Sequence, residues 1–483
     1  MSLSEAAALA TPSDRRALVA IDLGAESCRV SLLRWLPAGP HFHLVHRFAN
    51  HAGERENGLH WDMTCILDGL NSGLRKCAEI ATEGIRSIAV DGWAVDYVRL
   101  DAAGAAISDP FCYRDERTVA AEQALHERIS AELMRDLTGI QLLRLNTVYQ
   151  MFADEPERRH LRWLNLPEFV LYNLGARPVS ERTNATHTQM VGLDGQWSEP
   201  IFNALEQSTS AAPSIVEPGT DIGQLQGELA RLPAFTNTRL IAPACHDTAS
   251  AIAAIPDADD DWAYISSGTW SLVGTLLQAP VNSPAAREQN FTNLGGADGT
   301  ICFHKNVNGM WLLRQCMEEW SAAGTTLDLP ELVAAAAKIE SRDYVLDVDD
   351  PDLLLQGHMP ERINAQLRRR GLPELSPAAA DAPAMASFLF HSLAARYAVV
   401  LRNVSEITGK HFRRLYVMGG GSQNEFLNRL TAEATGLEVS RAGTECSTLG
   451  NFAVQLATLE RTETSSPRAT CEWAAKLTAA HHI

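Results

Sequence analysis

Apolar residues in this chain gather first in short runs of strand length broken by turn residues, and then in longer runs of helical period. Leu18 to Ile21, Arg29 to Trp35 and Phe42 to Phe48 predict a strand meander over residues 17–48. Asp62 then stands as an N-cap before a helix carrying Ile66, Leu67, Leu70, Leu74 and Cys77 on one face. Arg86 to Val90 and Val95 to Leu100 read as the next strands, and residues 115–175 as irregular and helical, with Pro167-Glu168 opening a short apolar helix. Strand Leu240-Ile-Ala-Pro243 leads to Asp247, and the alanine-rich stretch 248–255 is helical.

Past the acidic connector Pro256-Asp-Ala-Asp-Asp-Asp261 the pattern restarts. Ala263 to Ser266, Thr269 to Leu277 and Ile301 to His304 are strand-like, with helices expected over 310–320 and 384–408. The segment 321–383 carries two proline-rich patches and gives no clear period. A chain of 483 residues exceeds one ordinary core. The repeated order predicts a duplicated α/β unit with a cleft between its halves, cut as residues 1–255 and 256–483.

Three apolar strands run into glycine-rich turns: Val19-Ala-Ile-Asp-Leu-Gly24-Ala-Glu-Ser-Cys-Arg29, Ile265-Ser-Ser-Gly268-Thr-Trp-Ser271 and Tyr416-Val-Met-Gly-Gly-Gly421-Ser-Gln-Asn424. Such turns let backbone N–H groups approach an anion with no Cβ in the way. In the first, the amides after Gly24 and the Ser27 hydroxyl can face a phosphate that Arg29 neutralises, while Asp22 can hold Mg²⁺ through water. Each of the first two turns is equally what an ordinary hairpin looks like. The triple glycine suits a flat ligand against the backbone, and also a tight left-handed turn.

Asp247, in Ala244-Cys-His-Asp-Thr-Ala-Ser-Ala251, precedes a predicted helix. From position alone it is an N-cap; beside a substrate hydroxyl an ionised aspartate is also a proton acceptor. Ala249, Ala251, Ala253 and Ala254 allow close packing that would fix its direction, and His246 is a candidate substrate contact. In Asp91-Gly-Trp-Ala-Val-Asp96, Trp93 suits the apolar face of a polyol as well as a core. Tyr113-Arg-Asp-Glu-Arg117 reads alone as a solvated helix start.

Composition narrows the functional classes. Lys and Arg number 41 against 59 Asp and Glu, a formal charge of −18, which disfavours nucleic-acid and anionic-membrane partners. With 46% apolar and 21% charged residues the chain reads as globular. The nine cysteines form no C-x-x-C pair or zinc spacing, so reduced thiols and a cytoplasmic location are expected, with Cys28 and Cys245 as small buried side chains. Asp14-Arg15-Arg16 follow the N-terminal alanine run, the reverse of a signal peptide, and no transmembrane run is expected.

Taken in order, these segments resemble the FGGY carbohydrate kinases of the actin/hexokinase-like ATPase superfamily. The resemblance is carried by the 19–25 and 88–96 segments, His46-Arg-Phe-Ala-Asn50, Trp61-Asp62, Tyr113 to Thr118, Thr183-Asn-Ala-Thr186 with Thr188-Gln189, and His246 to Ala251. Ser266 to Leu272, Lys305-Asn306 with Gly309, Trp311-Leu-Leu313, the triple-glycine run and Ser447-Thr-Leu-Gly-Asn451 extend it over nearly the whole chain.

It implies two actin-like, ribonuclease H-like domains with a deep interdomain cleft, and a monomer or homodimer taking ATP, Mg²⁺ and a ketose. L-rhamnulose is the expected acceptor, with L-fuculose, L-ribulose or D-xylulose as alternatives. It makes Asp247 the proton acceptor and puts ATP on Ala25, Glu26, Ser27, Cys28, Arg29, Thr269, Arg314 and Gly420. Sugar contacts fall to Ala94, His246, Asp247, Thr248 and Asn306, and Mg²⁺ to Asp22 and Asp247.

Three departures stand out. The phosphate turn reads Ala-Glu-Ser-Cys-Arg where Ala-Ser-Ser-Gly-Arg is usual, so Glu26 must point away and a positive φ at Cys28 would be costly. Gly92-Trp93-Ala94 replaces Thr-Trp-Gly at the sugar position, and Arg314 replaces glutamine. An actin-like ATPase without a sugar acceptor is the reading from another class; the short chain after Gly450 leaves little for the peptide-binding region a chaperone would need.

Overall fold

The computed structural model describes residues 11–37, 39–257, 259–443, 445–462 and 466–481. Strands β1 (Ala17–Leu23), β2 (Ser27–Leu36) and β3 (Gly39–Ala49) form the expected antiparallel meander. Helix α1 (Met63–Ile80) begins where Asp62 accepts a hydrogen bond from the Cys65 amide at 2.8 Å, and buries Ile66, Leu70, Leu74 and Cys77. Strand β4 (Ile85–Gly92) pairs parallel with β1. Strands β5 (Thr220–Gln224) and β6 (Arg239–Ala242) complete a six-stranded sheet of order β5-β6-β4-β1-β2-β3. Helix α2 (Asp247–Ala253) follows β6.

The second sheet rebuilds that plan. It contains β7 (Trp262–Ser267), β8 (Trp270–Leu277) and β9 (Ile301–Asn308), followed by helices α3 (Trp311–Ala322) and α4 (Ala382–Thr408). Strand β10 (Arg414–Met418), helix α5 (Glu425–Thr435) and strand β11 (Glu438–Arg441) come next. Five neighbouring strands run β9-β8-β7-β10-β11, matching β3-β2-β1-β4-β6 in the first sheet. In both, the first two strands form an antiparallel hairpin and the fourth lies parallel to the first. This is the two-domain α/β architecture expected from the sequence.

The compact units do not follow one cut near residue 255. One comprises Met1–Ala258, Leu276–Phe303 and Glu445–Ile483; the other Asp259–Thr275 and His304–Thr444. The chain re-enters the first unit because helix α6 (Cys446–Leu459) packs on β1, β4 and α2. Strand β1, buried along its length, packs under α6 and shares a core with Ile66, Leu70 and Leu74 of α1. Gly450 makes the fit possible: a Cβ there would stand 1.7 Å from the Ser250 carbonyl oxygen.

Two local expectations change. The strand expected at Val95 starts at Tyr97, because Val95 adopts φ 72°. The unreadable 321–383 segment contains helices Leu329–Ala336 and Met359–Arg369. Among the described residues one helical stretch, Ala379–Thr408, has the length and apolarity to cross a membrane, but 67% of its apolar window is buried in the fold.

Candidate active site

In the first unit the C-terminal ends of β1, β4 and β6 meet at one edge. The Gly92 amide donates to the Cys245 carbonyl at 2.9 Å and the Trp93 amide to the Leu23 carbonyl at 3.1 Å, so the turns after the strands lie side by side. Ligands of open parallel sheets characteristically bind at this edge. It gathers Asp22, residues 25–29, Ala94 and residues 246–248, four stretches of the sequence.

Three carboxylates converge there. Asp22 and Asp91 occupy paired positions on parallel strands. Asp22 Oδ2 accepts from Arg29 Nη1 at 2.7 Å and from Ser447 Oγ at 2.9 Å. Asp91, fully buried, accepts from Asn451 Nδ2 at 2.6 Å, and its Oδ1 has no partner among the described residues. Burial first, and then the Asp22 charge, hold the Asp91 carboxyl well above the usual range. Ser447 and Asn451 lie one turn apart on α6, and Gln455, a turn further, donates to the Val19 carbonyl at 3.1 Å.

Asp247 is the first residue of α2, and His246, not Asp247, occupies the cap position. Its Oδ1 receives Thr248 Oγ1 at 3.1 Å and faces His246 Nε2 at 3.3 Å. Burial and the neighbouring Asp22 push its carboxyl up to about 7, although 36% of the side chain remains accessible. A carboxylate with that value and that access can take a proton near neutrality.

The loop bearing it is fixed from below by a buried acid. Glu181 Oε2 accepts the Cys245 amide at 2.8 Å and the Thr183 hydroxyl, and Thr183 Oγ1 in turn accepts the His246 amide at 2.9 Å. Glu168 holds this frame through the Glu181 amide and Asn184 Nδ2, both at 2.9 Å. Burial raises Glu181 to about 8 and Glu168 to about 7.

Beside Ala94, the 92–96 turn is anchored rather than open. Trp93 is 6% exposed and packs on Trp61 with ring centroids 4.5 Å apart, so it is core and not the exposed polyol surface the sequence suggested. Asp96 Oδ2 accepts both indoles, Trp61 Nε1 at 2.6 Å and Trp93 Nε1 at 3.0 Å. Val95 is left-handed, a genuine strain for a β-branched residue, and its carbonyl is gripped by Thr147 Oγ1 at 2.7 Å. Arg117 is not solvated either; it pairs with the buried Asp154 at 2.8 Å.

In the first turn, Gly24 is required by the chain itself, since a Cβ would meet the Ser27 carbonyl oxygen at 2.5 Å. Asn50 grips the turn through the Gly24 and Glu26 carbonyls, each at 3.0 Å, and Arg47 Nε donates to Ser27 Oγ at 3.2 Å. Glu26 is exposed. Cys28 sits in strand β2 without positive φ, its thiol in the core and pushed up to about 12 by burial. Arg29 faces Asp22, so the cation expected at phosphate and the carboxylate expected at Mg²⁺ are paired with each other.

In the second unit, Thr269 and Gly420 follow the ends of β7 and β10, neighbouring parallel strands. The amides of Met310 and Trp311 bond the Gly268 and Thr269 carbonyls at 3.0 and 3.2 Å, seating α3 on this turn. Gly419 and Gly421 serve the fold: a Cβ on either would strike Ser267, at 2.7 and 2.0 Å. Gly420 differs, with open space where its Cβ would be, which leaves that backbone face free for a ligand. Arg314 lies over Trp311 at 5.4 Å on α3, and Asn306 is a half-buried residue of β9.

Among the described residues no three His, Cys, Asp or Glu side chains form a self-sufficient metal cage. Asp22 and Asp247 are instead mutually repelling oxygen donors, a set that suits Mg²⁺ held jointly with phosphate oxygens and water.

Sequence reasoning missed Asp91, Glu181, His187, and the roles of Ser447 and Asn451. The i, i+4 spacing of Ser447 and Asn451 was a visible signal; the buried acids had none beyond their oddity in apolar stretches.

Comparison with known proteins identifies the family. Residues 17–254 match the N-terminal domain, and 263–459 the C-terminal domain, of the FGGY family of carbohydrate kinases. A rhamnulokinase of Enterococcus faecalis is 36% identical over 92% of this chain and 89% of its own length. One from Bacteroides thetaiotaomicron is 35% identical over 93% and 92%. Among solved structures, a xylulose kinase from Lactobacillus acidophilus superposes with a TM-score of 0.78 at 14% identity, covering 95% of this chain and 92% of that one. Plasmodium falciparum glycerol kinase with ADP gives 0.71 at 14%, covering 95% and 92%. The chain therefore belongs to the FGGY family of carbohydrate kinases and is a sugar kinase.

Proposed function

We propose that this kinase transfers the γ-phosphate of ATP to the C1 hydroxyl of L-rhamnulose. The observation that carries the reading is Asp247: a carboxylate at the C-terminal edge of the first sheet, anchored through Oδ1 by the Thr248 hydroxyl, with 36% of its side chain accessible. The rhamnulokinase relatives support the choice of sugar.

Asp247 accepts the hydroxyl proton as the sugar oxygen attacks the γ-phosphorus in line and the bond to the β-phosphate bridging oxygen breaks, releasing ADP. The family resemblance assigns ATP to residues 25–29, Thr269, Arg314 and Gly420, and the sugar to Ala94, His246, Asp247, Thr248 and Asn306. Arg29, released from Asp22 or shared with it, balances phosphate charge. Mg²⁺, held by Asp22 and Asp247, supplies further charge neutralisation when bound.

A second reading, another ketose such as L-fuculose, L-ribulose or D-xylulose, draws on the methyl of Ala94 at the strained turn. ADP release measured against a panel of ketoses decides between them. Highest kcat/KM on L-rhamnulose is expected; ADP release that is indifferent to every sugar would overturn the kinase assignment to a ketose.

A further inference from the structure

Two consecutive backbone amides run into the same buried pair of side chains. The Cys245 amide donates to Glu181 Oε2 at 2.8 Å, and the His246 amide donates to Thr183 Oγ1 at 2.9 Å. A backbone N–H only donates, so both directions are fixed. Thr183 Oγ1, already accepting from His246, sends its own hydrogen to Glu181 Oε2. Glu181 Oε1 accepts the Thr183 amide at 2.9 Å. Both carboxyl oxygens of Glu181 are therefore acceptors, and the two amides among its donors cannot be turned round. Glu181, Thr183 and Cys245 are fully buried, where an unanswered amide is costly.

This pair reaches the acceptor carboxylate through the backbone. The His246 carbonyl accepts the Ser250 amide at 2.9 Å, the bond that opens α2, and Asp247 is the first residue of that helix. From the other side the Gly92 amide holds the Cys245 carbonyl at 2.9 Å. A shift of the 245–246 backbone would thus move the first turn of α2 and carry Asp247 with it.

We propose that Glu181 and Thr183 are positioning residues for the phosphoryl transfer. Glu181 takes the Cys245 amide, the Thr183 hydroxyl links it to the His246 amide, and together they set where α2 presents Asp247 to the sugar. This rests on Asp247 being the proton acceptor.

The test has two arms, both on full-length protein. Thr183→Val keeps the shape and removes the hydroxyl, whereas Thr183→Ser keeps the hydroxyl. Glu181→Gln keeps the shape, but its NH₂ must then face one of the donors. Thr183→Val and Glu181→Gln should each lower kcat by about 10²-fold, the cost of displacing a reacting group by about an ångström. KM for ATP should not change, and Thr183→Ser should keep most of the wild-type kcat. Equal turnover in Thr183→Val and Thr183→Ser would overturn the proposal, as would a rise in KM for ATP that matches the fall in kcat.

The second arm is amide hydrogen exchange without sugar or ATP. The His246 amide should be protected in the wild type and exchange faster in Thr183→Val, with the amides of α1 unchanged. Equal protection of His246 in the two proteins, or faster exchange throughout the fold, would overturn the proposal. If Thr183→Val fails to fold, Glu181→Gln decides in both arms, read at the Cys245 amide. The exchange arm contains no substrate, so its failure is separable from failure of the Asp247 role, which Asp247→Asn reads.

Discussion

The two sheets share one strand order yet carry opposite chemistry at the same edge. Asp22 and Asp91 are the penultimate residues of β1 and β4, and Asp247 follows β6; past β7 and β10 come Thr269 and the triple glycine 419–421. The first edge concentrates negative charge, answered by Arg29, Ser447, Asn451 and Thr248. The second offers hydroxyls and uncovered backbone. A duplicated scaffold therefore fixes where loops meet, and a few strand-end residues decide whether that place takes a proton or accommodates a nucleotide.

The largest effect should come from the acidic edge. Asp247→Asn should cut kcat by about 10³-fold, within the range for losing a general base, while nucleotide affinity measured calorimetrically stays near wild type. Near-normal turnover would remove the proton acceptor from the comparison.

Next comes packing beneath that edge. Gly450→Ala places a methyl 1.7 Å from the Ser250 carbonyl, and should cost about 3 kcal/mol in chemical denaturation as α6 is forced off α2.

A smaller, pH-dependent effect follows from the carboxyl of Asp247 lying near 7 when folded and near 3.8 when unfolded. Ionising it disfavours the folded state, so the penalty grows as pH rises from about 4 to 7 and is complete above. Asp247→Asn should therefore be neutral in stability at pH 4 and stabilising by about 1–2 kcal/mol at pH 8, discounted for the exposure of the side chain. In the wild type, kcat/KM for the sugar should fall below about pH 7 as the base is protonated.

The smallest change tests the neutral edge. Gly420→Ala meets no atom within 4 Å and should leave the thermal midpoint unchanged while raising KM for ATP. Gly421→Ala, aimed at Ser267, should destabilise instead, so the pair separates a ligand-facing glycine from a structural one.

The central strands of both sheets were legible because they are apolar runs ended by glycine turns, as in Leu18 to Gly24 and Ile265 to Gly268, whereas Thr220–Gln224, Thr292–Gly295 and Glu438–Arg441 carry no such run. Asp247 was legible as a carboxylate after a strand, and the close-packed alanine helix behind it was legible too. What was hidden depends on long-range closure. Trp93 looked like a sugar-facing ring because nothing local shows that Trp61 and Asp96 would enclose it. Val95 looked like a strand residue because its branched side chain favours strands, and Thr147 overrides that preference from a distant helix. The return of the chain to the first unit was hidden because the apolar period of α6 gives no address; its polar face, Ser447, Asn451 and Gln455, supplies one only when β1 and β4 are in place.

That return has a consequence for biosynthesis. The ribosome releases Asp22 and Asp91 more than 350 residues before the Ser447 and Asn451 that bond to them. Until α6 emerges, the acidic edge lacks those two donors, so translation must pass residue 451 before the site can assemble. Nascent or prematurely stopped chains would then be catalytically silent, and activity would itself report that synthesis had passed residue 451.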